Sequence, residues 1–308
     1  MSWVRSLSTR KKVLLGVAIY TIGLIVLGVV FGSDGKNDTF KPQEEFRLEP
    51  WVDISIFGID MSITKAVMYL WLGVAATIAI MVGVARKMQQ KPNLTQTTVE
   101  LAFDLVDGQI TNDNLDKKRA IRWFPWLATS FFFILFSNLI GLVPLPTNTE
   151  HTIDIFGLQL PAFALYAATA NISVPLVLTL IVWVSYNVEG IGQHGFFGYF
   201  KTWLPAGLEE MPFAFKVFVW IIEAISNFVR LVSLSVRLFA NILAGHLLLL
   251  FMGGGLAVLL GIAALGWLTF PAAFAFFVFE IVIVAGLQAF IFTILTAIYI
   301  GGATAESH

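Results

Sequence analysis

Hydrophobic positions in this chain fall into long blocks separated by polar stretches, and block length predicts most of the architecture. A helix needs about 20 mainly apolar residues to cross about 30 Å of hydrocarbon. Residues 13–32 meet that requirement behind Arg5, Arg10, Lys11 and Lys12. The block reads as a first span or as a signal peptide, and its length, with no A-x-A site after it, favours a retained helix. Residues 33–61 carry seven acidic and three basic side chains and read as an external segment. A second span is expected at 63–85, closed by Arg86, Lys87 and Lys91. Seven Lys or Arg between 86 and 122 place that stretch in the cytoplasm by the positive-inside rule. Within it Val99, Ala102, Phe103 and Val106 recur at helical spacing opposite Glu100, Asp104 and Asp107, the pattern of an amphipathic helix at the membrane surface. A third span is expected from Trp126 to Val143, anchored by Arg122 and Trp123. An external loop without Lys or Arg follows at 144–161, then a fourth span at 164–186 that returns to a cytoplasmic segment with Lys201.

The last hundred residues break this rhythm. From Pro212 to Met252 there is no internal proline, and Gly245 is the only glycine. Forty helical residues measure about 60 Å, twice the hydrocarbon thickness. Gly253-Gly254-Gly255 then signals a turn, and a second apolar run extends from Leu256 to Ile300, interrupted only by Pro271. Four ordinary spans would need a loop near position 231, where no turn residue stands, so two long, steeply inclined helices are the better reading. The expected fold is an all-α polytopic membrane protein with about six membrane helices, including this C-terminal hairpin, plus one amphipathic surface helix. Its segments are 1–61 (anchor or signal peptide, and external segment), 62–205 (transmembrane helices with the amphipathic helix) and 206–308 (the inclined hairpin).

Composition agrees and narrows the chemistry. Charged residues are 13% of the chain, about half the usual share for a soluble domain, and mean hydropathy is +0.82. The absence of Cys excludes a disulfide scaffold, a Cys-ligated zinc site and a thiol nucleophile. A net charge of −1 without a clustered basic surface gives no basis for nucleic-acid binding.

Between Phe213 and Ala305 the only formally charged residues are Lys216, Glu223, Arg230, Arg237 and Glu280, with His246 also titratable. A charge at the bilayer centre costs about 2.5–3.5 kcal/mol on insertion scales, so such groups commonly mark a pathway. Positions 216, 223, 230 and 237 stand seven apart and form a stripe drifting only about 20° per step, with Ser226, Asn227, Ser233 and Asn241 beside it. Lys216 and Arg230 are also read as side chains snorkelling to an interface. Arg237 lies deep in an apolar stretch and stays charged at any relevant pH, so its expected counter-ion is a carboxylate on another chain. His246 and Glu280 lie on the two arms of the hairpin, where an antiparallel arrangement lets them approach as a proton relay. Gln288 and Asn241 add neutral groups able to orient water.

These residues carry a specific resemblance. Ser235-Val236-Arg237-Leu238-Phe239-Ala240-Asn241, followed by Ala244-Gly245-His246, resembles the signature of subunit a of F-type ATP synthases. IIEAIS around Glu223, LQAFIFTILTAIYI from Leu287 and SNLIGLVP from Ser137 match in order, and the likeness extends over about 60–308. The resemblance implies a stator subunit that presses two inclined helices against a rotating ring of c subunits, each with a buried carboxylate. It implies that Arg237 faces the ring, that Glu223 belongs to the cytoplasmic half-channel, and that Asn241, His246 and Gln288 belong to the external one. Glu280 joins the latter path, and Asn171, in TANIS, matches a supporting polar position. Two departures stand out. His246 occupies a position that is glutamate in many bacterial members, and Glu280 lies eight residues before Gln288 where seven are expected.

The resemblance further implies partners in the c-ring, the b-subunit peripheral stalk and, indirectly, the F1 sector, besides the lipid bilayer, and no cofactor. The chain alone is then not an enzyme, and it has no Walker motif for nucleotide chemistry. A proton-coupled secondary transporter is the alternative, but sequence repeats and Gly/Pro-broken helices are lacking. A membrane enzyme is disfavoured because His151, His194, His246 and His308 are scattered, and a plain scaffold needs no polar stripe. The positive-inside pattern and the lack of a transit peptide place the chain in a bacterial plasma membrane with a cytoplasmic C-terminus.

Overall fold

The computed structural model describes residues 9–31, 48, 50–155, 158–164, 166–204, 211–255 and 263–305. Arg5, most of the acidic segment at 33–61, residues 156 and 157 of the expected external loop, and the beginning of the second long run at 256–262 lie outside them. In chain order the helices are α1 (Thr9–Phe31), α2 (Lys65–Arg86), α3 (Leu94–Leu105), α4 (Lys117–Gly141), α5 (Ser173–His194), α6 (Phe196–Thr202), α7 (Phe213–Leu250), α8 (Ala263–Phe279) and α9 (Ala285–Thr304). π-helical turns extend α3 at Val106–Asn112, end α7 at Phe251–Gly255 and join α8 to α9 at Glu280–Val284. Two compact units divide the chain: Met1–Arg47 with Gly245–Glu280, and Leu48–Ala244 with Ile281–His308.

Among the described residues five helical stretches are long and apolar enough to cross a membrane: Lys65–Arg86, Lys117–Gly141, Ser173–His194, Phe213–Gly253 and Thr269–Thr304. The chain is thus a multi-pass membrane protein, and α1 adds a shorter apolar stretch, Leu14–Gly23. Helix α7 runs unbroken through position 231 for 38 residues, about 57 Å, which removes the reading as separate short spans. A helix of that length fits about 30 Å of hydrocarbon only by lying steeply inclined or projecting beyond it.

In the larger unit α4 is central. Its buried positions Leu127, Phe131, Ile134, Asn138 and Gly141 repeat every three or four residues on a helix that packs against α2 and α9, and α9 in turn packs against α5. Lipid tails are as apolar as leucine, so these helices hold together by close packing rather than by expulsion of water. Small residues provide that closeness: Gly73 lies under the Ser137 side chain, Gly141 under Ala167, and Gly190 under the Tyr199 ring. On α9, Ala285, Ala289 and Ala297 line the buried seam, and the hydroxyls of Thr296 and Thr304 donate to the carbonyls of Phe292 and Ile300, each at 2.8 Å. The amphipathic segment begins at a true cap, where the Asn93 side chain accepts from the Gln96 amide at 2.8 Å. Its Val99 and Ala102 pack on the core, whereas Phe103 is 40% exposed and meets Phe124 edge-on.

The connections depart from expectation in two places. Residues 144–161 are expected as an external loop with no secondary structure assigned to it, and there Leu145–Ile155 and Leu158–Ala164 pair as antiparallel strands, from Leu145↔Ala164 to Ile155↔Leu158. Short strand pairs also join Pro50–Val52 to Ile63–Thr64 and Ser55–Ile56 to Ile59–Asp60. The fourth span accordingly begins at Ser173, not 164, because the second long strand runs to Ala164 and a short 3-10 turn takes Ala168–Ala170. Pro175 then falls in the first turn of α5, where its missing amide is harmless.

In the smaller unit α8 packs against the Phe251–Gly255 turn and against α1. Pro271 is accommodated inside α8. The Glu280–Val284 turn takes in one extra residue, as π turns do. Eight residues with such a turn cover the rotation of about seven in an unbroken α-helix, which accounts for the offset of Glu280 from Gln288.

Candidate functional site

The polar residues of α7 gather into distinct groups. At one end of the larger unit α4 begins and α5 and α9 finish, and Arg122 meets Glu189 at 3.1 Å while Arg119 donates to Gln193 at 2.7 Å. Arg119 also pairs with Asp116 at 2.5 Å, and that hydrogen bond holds the Asp116 carboxyl below the usual carboxylate range. Beside this basic end is a cavity of about 390 Å³ lined by Glu223, Asn227 and Arg230 of α7, Tyr186 of α5, Tyr199 of α6, and Gly302 of α9.

Arg230 and Glu223, seven residues apart, pair at 3.0 Å, and the guanidinium lies 5.8 Å from the centre of the Tyr299 ring. Two helical turns separate them by about 10 Å along the axis, a span that two long side chains bridge by reaching toward each other. Arg230 therefore does more than snorkel: it and its partner form part of the cavity wall. Asn227, buried between helices, accepts from Trp183 Nε1 at 3.1 Å and from the Tyr186 hydroxyl. Its amide donates to Asn187 Oδ1 at 3.3 Å, which also accepts from the Tyr199 hydroxyl at 3.0 Å. Burial raises the Tyr199 phenol above its usual range, so it remains a neutral donor. This network ties α5, α6 and α7 around the cavity. Asn227 stands beside the charged stripe in the sequence, but Tyr186, Asn187 and Tyr199 carry no sequence signal that would single them out.

Arg237 lies one seven-residue step beyond Arg230 and is exposed. Among the described residues it makes no ion pair or hydrogen bond. The buried seam of α7 runs through Leu234, Leu238 and Ile242, and the step from Leu234 to Arg237 turns the guanidinium off that seam. Four residues further on, the Asn241 amide donates to Gln288 Oε1 at 2.8 Å, joining α7 to α9. Gln288 is 2% exposed, and its Nε2 has no protein partner among the described residues. The same holds for Ser137 Oγ and Asn138 Nδ2 on α4, where Asn138 Oδ1 accepts from Thr169 at 2.8 Å. Buried polar atoms of this kind are places for ordered water. Asn171 acts locally, since its Oδ1 accepts from the Ser173 amide at 2.9 Å and so helps to start α5.

In the smaller unit Glu280 is 6% exposed and His246 2% exposed. The Glu280 carboxylate rests on Gly245, so close that a β-carbon there would overlap it. The two arms are therefore in contact at the residue next to His246, and Glu280 Oε1 lacks a protein partner among the described residues. Among the described residues no three His, Asp or Glu come together as a metal site.

Residues 67–301 match the family model described as ATP synthase A chain. The ATP synthase subunit a of Rubrobacter xylanophilus is 36% identical over 261 residues, covering 83% of this chain and 90% of that protein. That of Frankia alni is 35% identical over 279 residues, with 86% and 85% covered, and that of Hyphomonas neptunium 32% over 273, with 87% and 97% covered. The matched stretch takes in α7 and most of α9, with Glu223, Asn227, Arg230, Arg237, Asn241 and Gln288, and the chain belongs to the ATP synthase A chain family.

Proposed function

We propose that the chain is the stator half of a rotary proton turbine, passing protons through two offset half-channels to and from carboxylates on a rotating c-ring. The observation that carries this reading is Arg237, an exposed cation on α7 with no partner among the described residues, between two separate polar sites. On one side lies the cavity with Glu223, and on the other the Asn241–Gln288 pair. A permanent charge facing outward from an apolar helix calls for a carboxylate on a partner.

In this mechanism a proton enters on the external side past His246 and Glu280, with Asn241 and Gln288 orienting water, and neutralises a ring carboxylate. The neutral acid turns through lipid, where an ion would cost far more. A ring carboxylate returning on the other side releases its proton into the cavity by way of Glu223, held by Arg230. Arg237 favours the ionised ring carboxylate as it passes and repels protons, which keeps the two paths from joining. Asn171 supports the path only indirectly, through the start of α5. Each charge moved through 100 mV supplies about 2.3 kcal/mol, so several must pass for each ATP made. Nucleotide chemistry belongs to the F1 sector, the b-subunit stalk holds the stator, and this chain is not itself the catalyst. The basic end with Arg119 and Arg122 is cytoplasmic by the positive-inside rule, and with it the C-terminus, in a bacterial plasma membrane.

The test is ATP-driven proton pumping in inverted vesicles carrying Arg237→Ala, with assembly followed by co-purification. Loss of pumping with assembly intact is expected. Undiminished pumping would remove Arg237 from the ring interface and leave the polar stripe as packing.

A further inference from the structure

Arg230 reaches Glu223 across two helical turns by a hydrogen bond from Nη2 to Oε1 at 3.0 Å. Both side chains are more than a third exposed, and a pair of this kind is weak when nothing else fixes its geometry, because each flexible stem loses rotamer freedom to make it. A second element fixes the guanidinium here. Its carbon lies 5.8 Å from the centre of the Tyr299 ring on α9, within reach of a cation–π contact. We propose that Tyr299 is the positioning residue of the pair: its ring holds the Arg230 guanidinium at the cavity wall, facing the Glu223 carboxylate.

The ring is itself held from behind. Tyr299 packs against the buried core of the larger unit. The Tyr186 ring meets it at 5.7 Å between centres, with the planes tilted by 55°, and the Tyr186 hydroxyl donates to Asn227. Asn227 stands between Glu223 and Arg230 on α7, so the contacts that fix the two rings return to the helix that carries the ion pair. Arg230, Tyr186 and Tyr299 also border a narrow gap with Trp183, Leu231 and Leu234, too small to hold water. Arg230 and Tyr186 line the open cavity as well, so the guanidinium stands at the boundary between a wet space and a dry one. An aromatic ring suits that boundary. Its negative face attracts a cation, yet it brings no charge that would compete with Glu223 for the guanidinium. The positioning is independent of the proton path; only its effect on pumping rests on the reading of Glu223 as part of that path.

The experiment is modification of arginine by phenylglyoxal in inverted vesicles that hold the assembled complex, with modified peptides mapped by mass spectrometry. Arg122, 70% exposed at its side chain, is the internal reference. ATP-driven proton pumping is measured on untreated portions of the same vesicles. Tyr299→Leu is expected to raise the rate of modification at Arg230 about threefold, to leave Arg122 unchanged and to slow pumping by a similar factor. Tyr299→Phe, which keeps the ring, should match the native chain in both readouts. The slowing should vanish in an Arg230→Gln background, because the ring acts through that side chain. An unchanged rate at Arg230 in Tyr299→Leu would overturn the proposal, since the guanidinium would then be held without the ring. A rise at Arg122 as well would overturn it in favour of a general loosening of the fold, and equal slowing by Tyr299→Leu in the Arg230→Gln background would overturn it in favour of ordinary packing. Faster modification of Arg230 alone with undiminished pumping would uphold the positioning and remove Glu223 from the proton path.

Discussion

The Glu223–Arg230 pair permits a quantitative test of whether the cavity acts as one unit. The perturbation is Arg230→Gln, made in the native background and in Glu223→Gln. At 3.0 Å two unit charges attract by about 5.5 kcal/mol at an effective dielectric of 20 and about 1.4 kcal/mol in bulk water. Both side chains are more than a third exposed, at 40% and 36%, and they line an open cavity, so the aqueous limit governs. Side-chain ordering reduces it further, to about 1 kcal/mol, equivalent to about fivefold in rate. The assay is the initial rate of ATP-driven proton pumping in inverted vesicles with matched amounts of assembled complex. Arg230→Gln alone is expected to slow pumping about fivefold, and to add nothing once Glu223 is Gln, because its effect is exerted through that carboxylate. Equal factors in both backgrounds would refute the reasoning, since Arg230 would then act independently of Glu223.

Other perturbations address the remaining contacts. Asn227→Leu leaves Trp183 Nε1, the Tyr186 hydroxyl and Asn187 Oδ1 each short of a partner; at about 0.6–1 kcal/mol per bond inside a membrane bundle, the loss is about 2 kcal/mol, read as earlier thermal release of the chain from its complex. An unchanged release temperature would count against the network. Gly245→Ala places a methyl group where the Glu280 carboxylate lies and is expected to cost about 1–3 kcal/mol. Adding the shorter Glu280→Asp should restore part of the lost stability, and no restoration would mean the arms are not in contact there. Gly73→Ala forces Ser137 away from α2 and should lower the same release temperature, whereas Gly83→Ala, with open space around it, should not.

How much of this is legible in the sequence depends on whether a feature is local. Helix α7 can be read because no proline or turn residue interrupts it, and Arg237 stands out because a guanidinium so deep in apolar sequence is harder to explain by snorkelling than Lys216 or Arg230. The strand pair at 145–164 cannot be read from hydropathy, since PAFALYAATA is as apolar as a helix, and hydropathy consequently starts the fourth span nine residues early. The offset of Glu280 is visible as a spacing of eight, but only the π turn explains it in terms of backbone. The cavity wall is least accessible: Tyr186, Asn187 and Tyr199 are ordinary neutral residues until the fold brings them to Asn227. Arg230 is ambiguous for a related reason, because an interfacial arginine and one holding a carboxylate seven residues away have the same sequence.

The open position of Arg237 also bears on biogenesis. A newly inserted copy of this chain, alone in the bilayer, presents a guanidinium that can neither deprotonate nor find a partner among its own described residues. That state is disfavoured by about 2.5–3.5 kcal/mol on insertion scales, reduced where water or bent headgroups reach the charge. Any arrangement that supplies a carboxylate relieves it, and the unassembled subunit is thereby marked as incomplete. Assembly with such a partner is favoured by up to that amount over leaving the charge unpaired in the bilayer.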